Sequence, residues 1–159
     1  MITGVATAAF AVKRAIFGRN GRLKAEADGG LLTGWDVDYA YNAGAGERSI
    51  YGGGWRLLEQ QDEVAEGLGL LLREVIEVSL YISVKISPRV DVEETDAAIE
   101  DVSGVIVRAF KARPELASQM MWLGISRGQG DYVDNSLETI SRAAFALQVQ
   151  TYVSWEPQP

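Results

Sequence analysis

The most regular pattern in this sequence lies between Leu72 and Ser87, where apolar and polar side chains alternate. The aliphatic side chains stand at even positions: Ile76, Val78, Leu80, Ile82, Val84 and Ile86. The odd positions between them, from Glu77 to Ser87, are mostly polar. A period of two residues is that of a β-strand with one buried face. Sustained over this length, it predicts a long antiparallel strand that ends at Pro88.

Two segments have the three- and four-residue spacing of an amphipathic helix. Val5 to Phe17 is rich in alanine, the residue with the highest helix propensity, and Gly18 is expected to end it. A second helix is predicted from a cap at Asp91 to about Ala112, before Pro114. Acidic residues occupy its first half and basic residues its last turns, which suits the helix dipole.

Shorter alternating runs predict the remaining strands. They are residues 35–41, a returning strand at 48–51, a short strand at 120–126 and a last long strand at 143–153. Polar, glycine-containing stretches predict loops at 18–34, 42–46 and 127–136. This order of elements predicts an α+β fold: an antiparallel sheet of strands of mixed length with two helices packed on one face.

The length of 159 residues predicts a single domain, 1–159, whose last residues, 156–159, form a loose tail. No apolar run is long enough to span a bilayer. Lys13 and Arg14 interrupt the apolar N-terminal segment, and no basic stretch precedes it, which argues against a signal peptide. We therefore expect synthesis and assembly in a cytoplasm.

The chain contains no cysteine and no histidine. This excludes disulfides, thiolate ligands, Ser-His-Asp triads and histidine-bound zinc. Two carboxylate clusters remain as candidates for metal binding or acid–base catalysis: Asp36 with Asp38, and Glu93 and Glu94 with Asp96. Both stand where a solvated face is expected. We predict no enzyme activity, no catalytic residue, no tightly held metal and no cofactor; a small ligand-binding module or carboxylate-based enzyme is the alternative.

Charge is unevenly distributed along the chain, whose net charge is −7. Residues 1–30 carry five basic and two acidic groups, whereas residues 59–101 carry twelve acidic and three basic groups. Such a split suits head-to-tail association of like subunits, in which a basic surface that includes Lys13 and Arg14 contacts a neighbour's acidic surface. Solvated faces without a partner are the alternative interpretation.

The polar faces of the two long strands carry few charges. Tyr81 lies on the first of them, and Gln148, Gln150 and Tyr152 lie on the last. Because the centres of subunit interfaces are depleted of charge and enriched in tyrosine, these four residues are candidates for a subunit or tube interface. A solvated sheet face is the alternative.

The serial order of several segments resembles the tail terminator, or tail completion, proteins of long-tailed siphophages. The matching segments are the alanine-rich helix 5–17, the aromatic strand 35–41, and the aromatic-then-glycine segment 48–55. They continue with residues 61–69, the strand 73–84, the acidic-start helix 93–112, Arg113–Leu116 and the closing alternating strand. The glycine-rich loop at 18–34 and the Gly52–Gly54 stretch depart from the pattern.

The resemblance implies a structural role in the virion. Family members form a six-fold ring at the head-proximal end of a long non-contractile tail. The ring stops polymerisation of the tail tube protein and offers a surface to the head connector or neck protein. Genomic DNA passes through its channel without specific binding, which an acidic protein favours. A neck or head-closure component is the alternative in the same class.

Overall fold

The computed structural model describes residues 2–65 and 69–154. The tail predicted at 156–159 lies outside this range. The elements in chain order are β1 (Ile2–Thr3), α1 (Ala9–Phe17), α2 (Arg22–Ala27), β2 (Asp36–Asp38), β3 (Arg48–Ala65), β4 (Gly69–Ile86), α3 (Val92–Ala112), β5 (Glu115–Ala117), β6 (Met120–Asp134) and β7 (Thr139–Ser154). None of the described helices has the length and apolarity needed to cross a bilayer.

The seven described strands form one sheet, in the order β2-β3-β4-β7-β6-β5, with β1 beside the end of β7. Its centre is the antiparallel pair β4–β7, whose register runs unbroken from Leu71 opposite Ser154 to Ile86 opposite Thr139. β3 and β6 flank this pair, also antiparallel. The α+β class is therefore confirmed. The prediction of a wholly antiparallel sheet is wrong for two short strands, because β1 runs parallel to β7 and β2 parallel to β3.

The even-numbered residues of β4 face the core, as the alternating pattern predicts. Ile76, Val78, Leu80 and Val84 are fully buried, and Ile82 is 1% exposed. Both long helices pack on this face. α1 lies over β3 and β4, where Gly52 admits the Phe17 ring: a Cβ at residue 52 would stand 2.7 Å from it. α3 lies over β4, β7 and β6, and its Phe110 ring stacks on Trp122 at 5.6 Å.

Five predicted elements have the wrong bounds. The loop at 18–34 contains the short helix α2, and α1 begins at Ala9 rather than at residue 5. The strand predicted at 35–41 covers only Asp36–Asp38. The returning strand continues from residue 51 to Ala65, and the loop predicted at 127–136 is mostly strand β6. β-Bulges interrupt both long strands, between Gly52 and Trp55 and between Ser126 and Gln129, and each breaks the period of two.

A buried carboxylate connects the sheet to the start of α1. Glu74 occupies a core-facing position of β4 and is fully buried. Its Oε1 accepts hydrogen bonds from the Ala8 backbone N–H at 2.7 Å and from the Thr7 hydroxyl at 3.0 Å. Its Oε2 accepts one from the Gln60 amide at 3.1 Å. Because the first N–H groups of a helix have no intrahelical partner, Glu74 supplies the cap that the chain lacks at Ala8 itself.

The buried guanidinium of Arg22 connects α2 to the end of α3. Its two terminal nitrogens donate to the backbone carbonyls of Arg113, at 2.6 Å, and Glu115, at 2.8 Å. We expect Arg22→Met to lower the free energy of unfolding by about 2 kcal/mol, since two carbonyls lose charged donors. Urea unfolding measures this change. Arg19→Met, at an exposed position, is the control and should have little effect. Equal losses of stability in the two variants would contradict the role of Arg22 in holding α2 to the end of α3.

Candidate subunit interface

The face of the sheet opposite the helices is bare: no described helix packs on it. It carries the odd positions of β4 and the residues paired with them on β3, β7 and β6. Tyr51, Tyr81, Ala144 and Gln129 stand side by side in one row across these four strands. The rings of Tyr51 and Tyr81 stack at 5.2 Å. Burial, together with the neighbouring Tyr81, raises the pKa of the Tyr51 hydroxyl.

Small residues leave a groove beside this tyrosine pair. It has a volume of about 300 Å³ and is lined by Tyr51, Tyr81, Gln129, Gly130, Asp131, Arg142, Ala143 and Ala144. Gly53 lies next to the Tyr81 ring, and a Cβ there would clash with the ring edge. The bare face therefore combines stacked aromatic rings, hydroxyls and amides with one groove beside the rings.

Charged side chains on the bare face occur as pairs between strands. Arg56 contacts Glu77 at 3.2 Å, and Arg73 contacts Glu59. Arg142 contacts Asp131, directly opposite on β6, at 3.0 Å. Each pair places opposite charges side by side, so this face combines charges without a single dominant sign.

Four of the six residues predicted for an interface share this face. They are Tyr81, Gln148, Gln150 and Tyr152, all half-buried. The Gln148 amide lies 3.5 Å from the Ser126 hydroxyl, and Arg73 donates to the Gln150 side-chain oxygen at 3.4 Å. The structure brings these four together on one side of the sheet. Whether another subunit covers them stays a prediction.

The other two residues, Lys13 and Arg14, lie on α1 and thus on the opposite side of the sheet. The Lys13 ammonium sits 4.2 Å from the centre of the Tyr39 ring, and burial lowers the pKa of Lys13. Arg14 is exposed and, with Arg19 and Lys24, lines a shallow groove of about 990 Å³ over α1. None of the ion pairs among residues 2–65 and 69–154 involves these three bases. The predicted interface set thus divides between two surfaces.

An acidic surface lies on the same layer as these bases, along the first half of α3. Its exposed members are Glu93, Glu94, Asp96, Glu100 and Asp101. They also take no part in the ion pairs found in the described part of the chain. The charge split in the sequence therefore corresponds to two separate surfaces, basic over α1 and acidic along α3.

The carboxylates considered for catalysis have local roles or point to solvent. Asp36 accepts a hydrogen bond from the Gly46 backbone N–H at 2.6 Å, and Asp38 accepts one from the Asn42 amide at 3.3 Å. Both contacts hold the 42–46 turn against β2. Among the residues described, no three acidic side chains come close enough together to hold a metal ion.

Sequence reasoning missed two open edges of the sheet. β2 covers β3 only at Ser49–Tyr51, and β5 covers β6 only at its first residues, Met120 and Met121. Beyond those points no described strand pairs with the outer edge of either β3 or β6. The sequence did not predict these parts of β3 and β6 as strands, because both are bulged and rich in glycine and neither alternates regularly between apolar and polar residues.

Comparison of the chain with protein-family models and with curated proteins finds no match. The class that the geometry defines is accordingly broad: an α+β domain with helices on one side of its sheet and an uncovered, tyrosine-bearing face on the other.

Proposed function

We propose that this chain is a structural virion assembly protein of the tail terminator type. In this role about six copies form a ring at the head-proximal end of a long non-contractile phage tail. The ring ends polymerisation of the tail tube and provides the interface for the head connector. The protein is thus a component of the virion, assembled in the cytoplasm of the host bacterium, and performs no catalysis.

The observation that carries the proposal is the bare face of the sheet. A sheet buries its apolar face against helices, and the other face is left for solvent or for another molecule. Here that face has stacked tyrosines, hydroxyls and amides, the composition favoured at the centres of subunit contacts. The order of segments in the sequence, which resembles tail terminators, supplies the specific role.

Two alternatives have different bases. A neck or head-closure component would use the same subunit contacts at another position on the particle. A ligand-binding module would use the groove over α1, whose bases Arg14, Arg19 and Lys24 favour an anionic ligand. The carboxylate-based enzyme has less support, since Asp36 and Asp38 hold a turn.

Deletion of the gene from the phage tests the proposal. We expect the lysate to contain tails of uncontrolled length that fail to join heads, because nothing stops addition of tube subunits. Electron microscopy of the lysate measures tail length and joining, and complementation in trans is the control. Tails of normal length that join heads normally would overturn the terminator role. Tails of normal length that remain unjoined would favour the neck alternative.

Reversal of one exposed charge tests the subunit contact. We expect Arg14→Glu to weaken ring formation several-fold at low salt, because its charge would then repel the acidic surface of a neighbour. The difference from wild type should shrink as salt screens the charges. Light scattering across a salt series measures both effects. Arg108→Glu, an exposed reversal in the second half of α3, is the matched control; equal weakening by both variants would contradict a specific role for Arg14.

A further inference from the structure

The open edges of β3 and β6 are long, and each is interrupted by β-bulges but lacks two other devices that protect a sheet edge from pairing. Natural sheets protect exposed edges with lysine and other charged side chains, proline, bulges or very short strands. The open parts, residues 52–62 of β3 and 123–134 of β6, contain neither lysine nor proline. Large exposed apolar side chains occur on both strands: Trp55 and Leu58 on β3, and Met121, Leu123, Tyr132 and Val133 on β6. The unpaired backbone groups of such edges can form hydrogen bonds with another strand.

We propose that the open edge of β3 in one copy pairs with the open edge of β6 in the next copy, so that the sheets of neighbouring subunits become continuous. This inference rests on the proposed function, in that it supplies the contact that would build the ring. The two edges lie on opposite sides of the same sheet, with β4 and β7 between them. The contact is therefore heterologous, and each copy can bind two neighbours, as a closed ring requires.

Strand direction agrees with this pairing. β3, β4, β7 and β6 alternate in direction across the sheet, so β3 and β6 run antiparallel to each other within one copy. Rotation of a copy about an axis along the strands keeps these directions. The β6 edge of one copy then meets the β3 edge of the next in antiparallel orientation, which is the pairing of all four long strands.

The short outer strands fix the offset between copies. β2 covers β3 at the level of Tyr51, whereas β5 covers β6 at the level of Gln150, toward the other end of the sheet. The open part of β3 is thus displaced along the strand axis from the open part of β6. Pairing the two open parts offsets neighbouring copies by several residues, at about 3.4 Å each. Tilted strands in closed sheets have the same kind of stagger.

The charges of the helix layer support the same arrangement. α1 lies mainly over β3 and β4 and also touches β5, whereas α3 lies over β7, β4 and β6. Joining β6 to the neighbour's β3 therefore places α3 of one copy beside α1 of the next. The acidic surface that includes Asp96 and Glu100 lies toward the joint on the β6 side, and the bases over α1 belong to the neighbouring helix layer. Neither set takes part in the ion pairs found within the described residues, so both are available to a neighbouring copy. The occupant of each edge is thus a second copy of this chain.

Introduced cysteines test the joint, because the native chain has none. Leu58→Cys on β3 is combined in turn with Ser126→Cys and Gln129→Cys on β6. Within one copy β3 and β6 are three strand spacings apart, about 14 Å, too far for a disulfide. Oxidation of purified protein and of isolated tails should therefore give a ladder of cross-linked copies on a non-reducing gel for at least one pair. Leu58→Cys with Leu31→Cys, which is exposed in a loop, is the matched control and should give no ladder.

A second pair of variants tests the same edges without cross-linking. We expect Leu123→Lys to lower the affinity between copies at least tenfold by light scattering, whereas Leu137→Lys, also exposed but outside the strand, should not. Circular dichroism confirms folding of each. If electron microscopy shows rings, but the cysteine pairs give no ladder and Leu123→Lys does not weaken assembly, edge pairing is overturned and the terminator role stands. If the cysteine pairs give a ladder, but phage without the gene make tails of normal length that join heads, the terminator role is overturned and edge pairing stands.

Discussion

Leu80→Ala is expected to lower the free energy of unfolding by about 2–5 kcal/mol, through lost burial and the cavity left behind. Leu80 lies in the middle of β4, fully buried, with Gly52 and Phe145 as its partners on the adjacent strands. Both neighbours belong to strands held in long antiparallel register. The surrounding backbone therefore has little freedom to close the gap. Urea denaturation followed by circular dichroism measures the change.

Tyr81→Ala is the matched comparison, because it changes the next residue on the opposite face. Tyr81 is only half-buried, and its stacking on Tyr51 adds about 1 kcal/mol. We expect a smaller loss of monomer stability than for Leu80→Ala, together with weaker assembly. A Leu80→Ala protein with unchanged melting temperature, beside a Tyr81→Ala protein that unfolds, would mean that the two faces are assigned the wrong way round.

Glu74→Ala is expected to destabilise the fold by about 3 kcal/mol and to loosen the start of α1. The substitution removes the acceptor of three donors, two of them at the helix start, the Ala8 N–H and the Thr7 hydroxyl. Buried donors left without a partner cost about 1–3 kcal/mol. Hydrogen exchange at the first residues of α1 reports local loosening, and urea unfolding reports the loss of overall stability. Comparing the two measurements separates these effects.

Gln60→Ala is the control for this second prediction. Gln60 donates to the other oxygen of Glu74 but is itself exposed, so its removal leaves the contacts to α1 in place. We expect little loss of stability and no faster exchange in α1. Equal effects of Gln60→Ala and Glu74→Ala would contradict the capping role of the carboxylate.

The elements that the sequence predicted well each have one face in the core. β4 and α3 show clear periods because Ile76, Leu80, Ile99 and Ile106 must all reach the same buried layer. The same periodicity placed Tyr81 and Gln148 on the polar faces of their strands, whereas the end of the first helix at Gly18 followed from the preference for glycine after a helix. The face assignment of β4 is confirmed by the burial of its even positions.

The missed elements are those in which tertiary contacts outweigh the local pattern. β6 continues past Ser126 because β7 pairs with it, although its sequence is polar and bulged there. α2 is held by Arg22, whose carbonyl partners lie more than ninety residues along the chain. The cap at Glu74 was hidden for the same reason, since its partners on α1 come from more than sixty residues away. No local periodicity reports contacts at such distances.

The position of β7 determines when the sheet can be completed during synthesis. This last strand of the sheet lies at its centre, hydrogen-bonded to β4 on one side and to β6 on the other. Until it leaves the ribosome, β4 has only β3 as a neighbour, and β6 has no long strand to pair with. Contacts that join distant segments form slowly, and unpaired strands are prone to aggregate. A nascent chain stalled before residue 139 would therefore expose two incomplete sheet halves, and the emergence of β7 is the step that protects them.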